Sequence, residues 1–266
     1  MKKGLLWALA LLITLSAAVY QRMTGPTYPY RGKVQAGTSE VSYRLPRSAE
    51  NTKDCEVALK VPDGSVTGYL EYKRYKTADT FTRVDLVREG EKLAASLPKQ
   101  PAAGKLAYRV VLLAQEEEKI LTGANPIVIR FKDTVPMVVQ LPHILIMFAA
   151  MLLSTAAGLY ALGKRFNPRK LAVWTAVLLF IGGFLLGPLM QYYAFGKFWT
   201  GIPFGTDMTD NKTLVAMLAW VTAVIAGRKG KSARGWVLAA SIALLVVYSI
   251  PHSLFGSELD YSKLAE

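Results

Sequence analysis

From Met137 to Ile250 apolar residues form long, nearly unbroken runs, whereas from Thr24 to Val135 they alternate with polar ones in short runs. A helix crossing the hydrocarbon core needs about 20 mostly apolar residues. Ile144–Leu162 and Leu171–Met190 meet that requirement without a single charge, and Leu214–Gly227 and Trp236–Ile250 meet it when their flanks join them. The pattern predicts four spans in residues 136–266, and none of the four runs contains Asp, Glu, Lys or Arg. A further apolar run in residues 1–22, behind Lys2 and Lys3, reads as an uncleaved N-terminal anchor. Ser16-Ala17-Ala18 resembles a small-residue cleavage site, so a removable signal peptide is the alternative. Either choice exports residues 23–135.

Those residues predict a β-domain. Thr24–Gly32 is rich in proline and glycine and reads as an extended linker. Alternating runs then come at Glu40–Leu45, Cys55–Val61, Thr67–Tyr75, Thr80–Arg88, Lys92–Leu97, Leu106–Leu113 and Ile127–Phe131, separated by turn signals such as Pro62-Asp63-Gly64. About seven short strands in roughly 100 residues is the pattern of a two-sheet antiparallel sandwich. Pro101–Tyr108 resembles the tyrosine corner of immunoglobulin-like domains, in which a tyrosine near the start of a strand bonds back to the preceding turn. The resemblance implies an immunoglobulin-like sandwich and says nothing of function. Glu116-Glu117-Glu118-Lys119 reads as a solvated turn, and Cys55, the only cysteine, as a small buried hydrophobe. The fold class expected is thus a multi-domain membrane protein, with an all-β extracytoplasmic sandwich and an α-helical bundle.

Charge then sets the orientation. Lys164, Arg165, Arg169 and Lys170 share one short loop and Arg228, Lys229, Lys231 and Arg234 the other, with no acid in either. Short loops rich in lysine and arginine stay in the cytoplasm. The N-terminus then lies inside a bacterial inner membrane, while the β-domain, the loop at residues 191–213 and the C-terminal tail lie outside. With Lys2 and Lys3, these loops hold 10 of the 32 basic residues, so only +3 of the +13 net charge belongs to the rest of the chain. Nucleic acid is set aside as a partner on that ground; the expected partners are the lipid bilayer and membrane or envelope proteins.

The outward loop collects the unusual residues. Tyr192, Tyr193, Phe195, Phe198, Trp199 and Phe204 are the types that sit at the headgroup level. Asp207, Thr209 and Asp210 precede an apolar helix and read as capping residues, while Asp207, Asp210 and Asn211 are the alternative, a hard-oxygen metal site. His143 and His252, each just after a proline, are the candidate ligands of a b-type haem or a metal. No cofactor is expected on the leading reading, and haem b belongs to this alternative, an electron-transfer or cofactor-binding subunit. No residue is assigned a catalytic role, because HExxH, GxSxG, CxxC and phosphate-binding glycine motifs are all absent. The leading expectation is a non-catalytic envelope interaction or accessory subunit.

Overall fold

A computed structural model describes residues 2–115, 117–163, 166–228, 233–251, 256 and 258–264. Helix and sheet are both present, and the chain divides into two compact units, Met1–Pro26 with Val135–Ser257, and Thr27–Thr134 with Glu258–Glu266. Glu258 onward therefore belongs with the β-rich unit rather than with the helices that precede it.

In the β-rich unit, strands form where apolar and polar residues alternate, since successive side chains on a strand face opposite sides. A hairpin of β1 (Tyr30–Ala36) and β2 (Ser39–Leu45) precedes two open sheets. One sheet has the order β3 (Ser48–Glu50), β11 (Ile127–Lys132), β9 (Lys105–Ala114), β5 (Thr67–Arg74) and β6 (Thr82–Asp85), and β10 (Glu117–Ile120) also pairs with β9. The other has the order β4 (Cys55–Lys60), β8 (Lys92–Leu97) and β7 (Val87–Glu89). Val57, Leu59, Leu93 and Leu97 share one core with Leu70, Tyr108, Val110, Leu112, Ile129 and Phe131.

Four local expectations change. Tyr30–Ala36, part of it placed in the linker, is a full strand paired with β2. Glu117–Ile120 is also a strand, although its outward acids remain solvated as expected. The single run expected over Thr80–Arg88 breaks at Leu86: β6 joins one sheet and β7 the other, and the buried Leu86 between them donates its N–H to Gly68 O. A Cβ on Gly68 would collide with Val111 O, so only glycine lets the strands close at this crossing. Tyr108 is fully buried, and its hydroxyl donates to Pro46 O at 2.7 Å rather than to the turn before it. Burial pushes that hydroxyl well above the usual phenol range, so it stays a donor. Cys55 is half-buried against the core, and burial raises its thiol likewise.

Three helices are long and apolar enough to cross a membrane: α1 (Lys3–Thr24), α2 (Met137–Leu162) and the continuous helix Arg169–Phe195. The last comprises α3 (Arg169–Phe180), a π-helical turn (Ile181–Leu186) and α4 (Gly187–Phe195). Pro188 explains the wide turn: it has no N–H for Phe184 O, and its ring would collide with that carbonyl in a regular helix. The widened turn instead bonds Gly187 N–H to Gly182 O. Two shorter helices complete the unit, α5 (Met208–Ala226) and α6 (Arg234–Ser249).

The helix faces do not pair as their small residues suggest. The stripe of Ala150, Ser154 and Gly158 would meet the GxxxG pair Gly183 and Gly187 if small faces simply attracted one another. Instead the stripe faces α6: Ser241 Oγ donates to Ser154 O at 2.9 Å and would collide with any Cβ on Gly158. Gly183 faces Thr213 on α5, and its neighbour Gly182 is the one that faces Met147 on α2.

Contacts at the helix ends sort the bundle into two ends. At one, Trp7 Nε1 donates to Tyr160 OH at 3.1 Å, and Arg234 donates to Tyr160 O at 2.8 Å and Phe166 O at 3.0 Å. At the other, Gln21 Nε2 donates to Tyr248 O at 2.7 Å and Lys212 Nζ to Ile250 O at 2.6 Å. The helices therefore alternate in direction, and the arginines Arg169, Arg228 and Arg234 lie at the end that holds the start of α1.

Candidate functional site

The end away from those arginines carries the polar chemistry of the bundle. α4 stops where Gly196 takes a left-handed conformation (φ 74°) and bonds its N–H to Tyr192 O. That conformation carries almost no steric cost for glycine alone. The connection then folds back onto the first turns of α5. Asp207 is the N-cap, its Oδ1 accepting from Thr209 N at 2.7 Å and so satisfying one of the free amides of the first turn.

Asp210 and Asn211 fasten the loop to the helix. Asp210 Oδ2 accepts from Thr200 N at 2.6 Å, and Asn211 Oδ1 accepts from Ile202 N at 2.7 Å. Gln191 Nε2 reaches Thr200 Oγ1 at 2.5 Å from the end of α4. Gly201 sits between them, where a Cβ would lie 2.6 Å from Asp210 Cβ and 2.7 Å from Asn211 Oδ1. The structure thus brings Asp207, Asp210 and Asn211 into one turn, and gives an oxygen of each to a backbone amide of the loop or the helix start. Among the described residues no three His, Cys, Asp or Glu side chains are grouped to hold a metal ion.

The aromatic residues of the loop stack in pairs, Phe184 on Trp199 at 5.4 Å and Tyr192 on Phe198 at 4.3 Å between ring centroids. Tyr192, Tyr193, Phe198 and Phe204 stay exposed.

His143 lies on α2, its Nδ1 3.0 Å from Gly182 O in the widened turn. A carbonyl only accepts, so Nδ1 is the nitrogen that carries a proton in this contact. His252 lies outside the described residues.

Lys212 is the residue that hydropathy conceals. It falls in the second turn of α5, 5% exposed, with Nζ on Ile250 O and Asp207 within electrostatic reach. A lysine so buried beside an apolar helix needs such partners, because an isolated ammonium out of water is costly. Its signal in the sequence is the pair of acids at positions −2 and −5 on the same helix start.

In the β-rich unit a second constellation centres on the C-terminal segment. Glu258 bridges Lys105 at 2.6 Å and Lys76 at 2.8 Å, and Leu259 N donates to Ala103 O. Tyr261 OH accepts from Lys105 N at 2.9 Å and lies 3.0 Å from Gln100 Oε1. Burial would raise the Glu258 carboxyl, but hydrogen bonds from Lys105 and Lys76 outweigh it and hold the group below its ordinary range. The two lysines respond in opposite directions: burial holds Lys105 below the usual range despite Glu258, whereas the exposed Lys76 is raised by its bond to Glu258. The sign for stability comes from the carboxyl. A depressed carboxyl supports docking above the ordinary glutamate range, and the support disappears as pH falls through the depressed value. The bond from Arg74 pulls Asp79 down to about 2, so that neighbouring pair persists into strongly acidic solution. Acidification from neutral pH should therefore release Glu258–Leu264 before the strands open, read as faster hydrogen exchange in that peptide while β5 and β9 stay protected.

No family model matches the chain, and no curated protein matches its sequence.

Proposed function

We propose that the chain is an integral membrane protein that holds an immunoglobulin-like domain in the extracytoplasmic compartment and serves there as a non-catalytic accessory subunit of the envelope. One observation carries this reading: Glu258–Leu264, which comes after the last long helix, belongs to the same compact unit as the β-strands. The end of α1, the start of α2 and the end of α6 must then all open toward the compartment of the β-domain, as they do if the arginine-rich turns face the cytoplasm. The alternation of the helix ends supports the same reading.

For the sandwich, the support is strand order. β4, β8 and β7 make one layer, and β11, β9, β5 and β6 the other, with β3 adding in parallel to β11. Two sheets that share one core are what an immunoglobulin-like sandwich requires. For an interaction role, the support is the edge: β7 is the outer strand of its sheet and Val87 on it is 65% exposed. An uncovered edge is a surface to which another chain adds a strand.

Single cysteines in a Cys55→Ser background test the sidedness. Val87→Cys should react with a membrane-impermeant maleimide in intact cells, whereas Arg169→Cys should react only after lysis. The reverse pattern overturns the orientation. A photo-crosslinker at Val87 should then capture an envelope protein, and crosslinks to lipid alone argue against the accessory role.

A further inference from the structure

At the arginine end of the bundle a cavity of about 470 Å³ opens between the start of α3, the end of α5 and the start of α6. Arg169, Arg228 and Arg234 line it, and its walls continue along the helices as Val173, Val224 and Val237. Arg234 is fixed in place by the carbonyls of Tyr160 and Phe166. Arg169 and Arg228 are exposed and have no acidic partner among the described residues. The first turns of α3 and α6 point the positive ends of their dipoles at the same space. Arginines lining one cavity call for an anion, and phosphate oxygens suit them because the fork of an arginine binds two oxygens at once.

The walls then choose between phosphates. A free anion needs polar surroundings on every side, but here the polar mouth gives way to valine and alanine on helices built to face acyl chains. Trp174 and Trp236, both more than half exposed, stand on α3 and α6 within two turns of the cavity. Exposed indoles at the end of an apolar helix mark the headgroup level. We infer that this cavity binds the phosphate of an anionic phospholipid, with the head between Arg169, Arg228 and Arg234 and the first acyl carbons against the exposed Val173. The inference shares with the function proposed above only that the bundle is embedded in a bilayer.

Native mass spectrometry of the full-length protein in mild detergent tests it, with phosphatidylglycerol and phosphatidylcholine of the same acyl chains as probes. Phosphatidylglycerol should be retained preferentially. The double variant Arg169→Gln, Arg228→Gln should weaken that retention roughly thirtyfold, the loss of two basic contacts at a lipid surface. Phosphatidylcholine retention should not change. Equal retention of the two lipids by the wild type overturns the inference without reference to any variant, and so does undiminished binding by the double variant. Displacement of the lipid by millimolar inorganic phosphate would make this a free-phosphate site and overturn it as well. The maleimide labelling is measured in cells without added lipid, so an inverted orientation and a missing lipid site are told apart.

Discussion

Arg88→Met is expected to loosen the β-domain by about 2–4 kcal/mol, the loss of several charge-assisted hydrogen bonds from one side chain. The Arg88 guanidinium donates to Val61 O at 3.0 Å, Gly90 O at 3.1 Å, Asp63 O at 3.0 Å and Val66 O at 2.5 Å. Those carbonyls belong to the connection between β4 and β5 and to the turn between β7 and β8. The same connection is held from its other side by Asp63, whose carboxylate accepts from Thr38 and Ser65 and is thereby kept well below the ordinary range. Methionine keeps the length of the stem and removes every donor, leaving four carbonyls to compete for water in a half-enclosed space. Lysine should rescue little, because one ammonium cannot serve two separated loops with the planar fork of a guanidinium. Hydrogen exchange resolved by peptide gives the measurement: residues 61–66 and 86–91 should exchange faster, with β9 least affected. Arg83→Met is the control, since Arg83 pairs with Asp85 on the surface, and exposed pairs contribute about 0–1 kcal/mol. Wild-type exchange in Arg88→Met would show that the connection holds itself.

Arg88 also marks the limit of alternation as a guide. The run Thr80–Arg88 has the period of one strand, and nothing in it announces that the chain changes sheets at Leu86. A strand arginine reads as a solvated residue because its partners are backbone carbonyls, which carry no sequence signature. β10 was hidden for a related reason: acids on a strand exposed on both faces look the same as acids in a turn. By contrast, β4, β5, β8, β9 and β11 were legible, because each buries apolar side chains against a shared core and the period records that. The three long helices were legible from length and hydropathy alone. The packing partner of each face was not. Small residues at a spacing of four permit close approach, but which helix approaches depends on loop lengths and on single polar contacts such as Ser241 to Ser154. Within the loop at residues 191–213, capping by one of the two acids was legible from their place before an apolar run, and Asp207 is the one that caps. The clamps made by Asp210 and Asn211 were not, since a backbone amide ten or nine residues away leaves no trace in a local pattern.

Lys212→Met should destabilise the bundle by about 2–3 kcal/mol, the scale of a hydrogen bond from a charged donor whose buried acceptor is left unpaired. The ammonium joins the second turn of α5 to the last turn of α6 through Ile250 O, and it offsets the Asp207 carboxylate nearby. Methionine fills the same volume, so the loss reports charge and hydrogen bonding rather than a cavity. It leaves Ile250 O without its donor and takes one positive charge away from the neighbourhood of Asp207. Unfolding of the full chain in mixed detergent micelles, followed by tryptophan fluorescence, measures the effect, because Trp220 is completely buried on the same helix. A double-mutant cycle with Asp207→Asn separates the two contributions. If the pair is coupled, the double variant loses less than the sum of the single variants by about 1 kcal/mol, as residues sharing one network do. Strict additivity would mean that Lys212 acts through Ile250 O alone, and a Lys212→Met bundle as stable as the wild type would mean that the ammonium reaches water and fastens nothing.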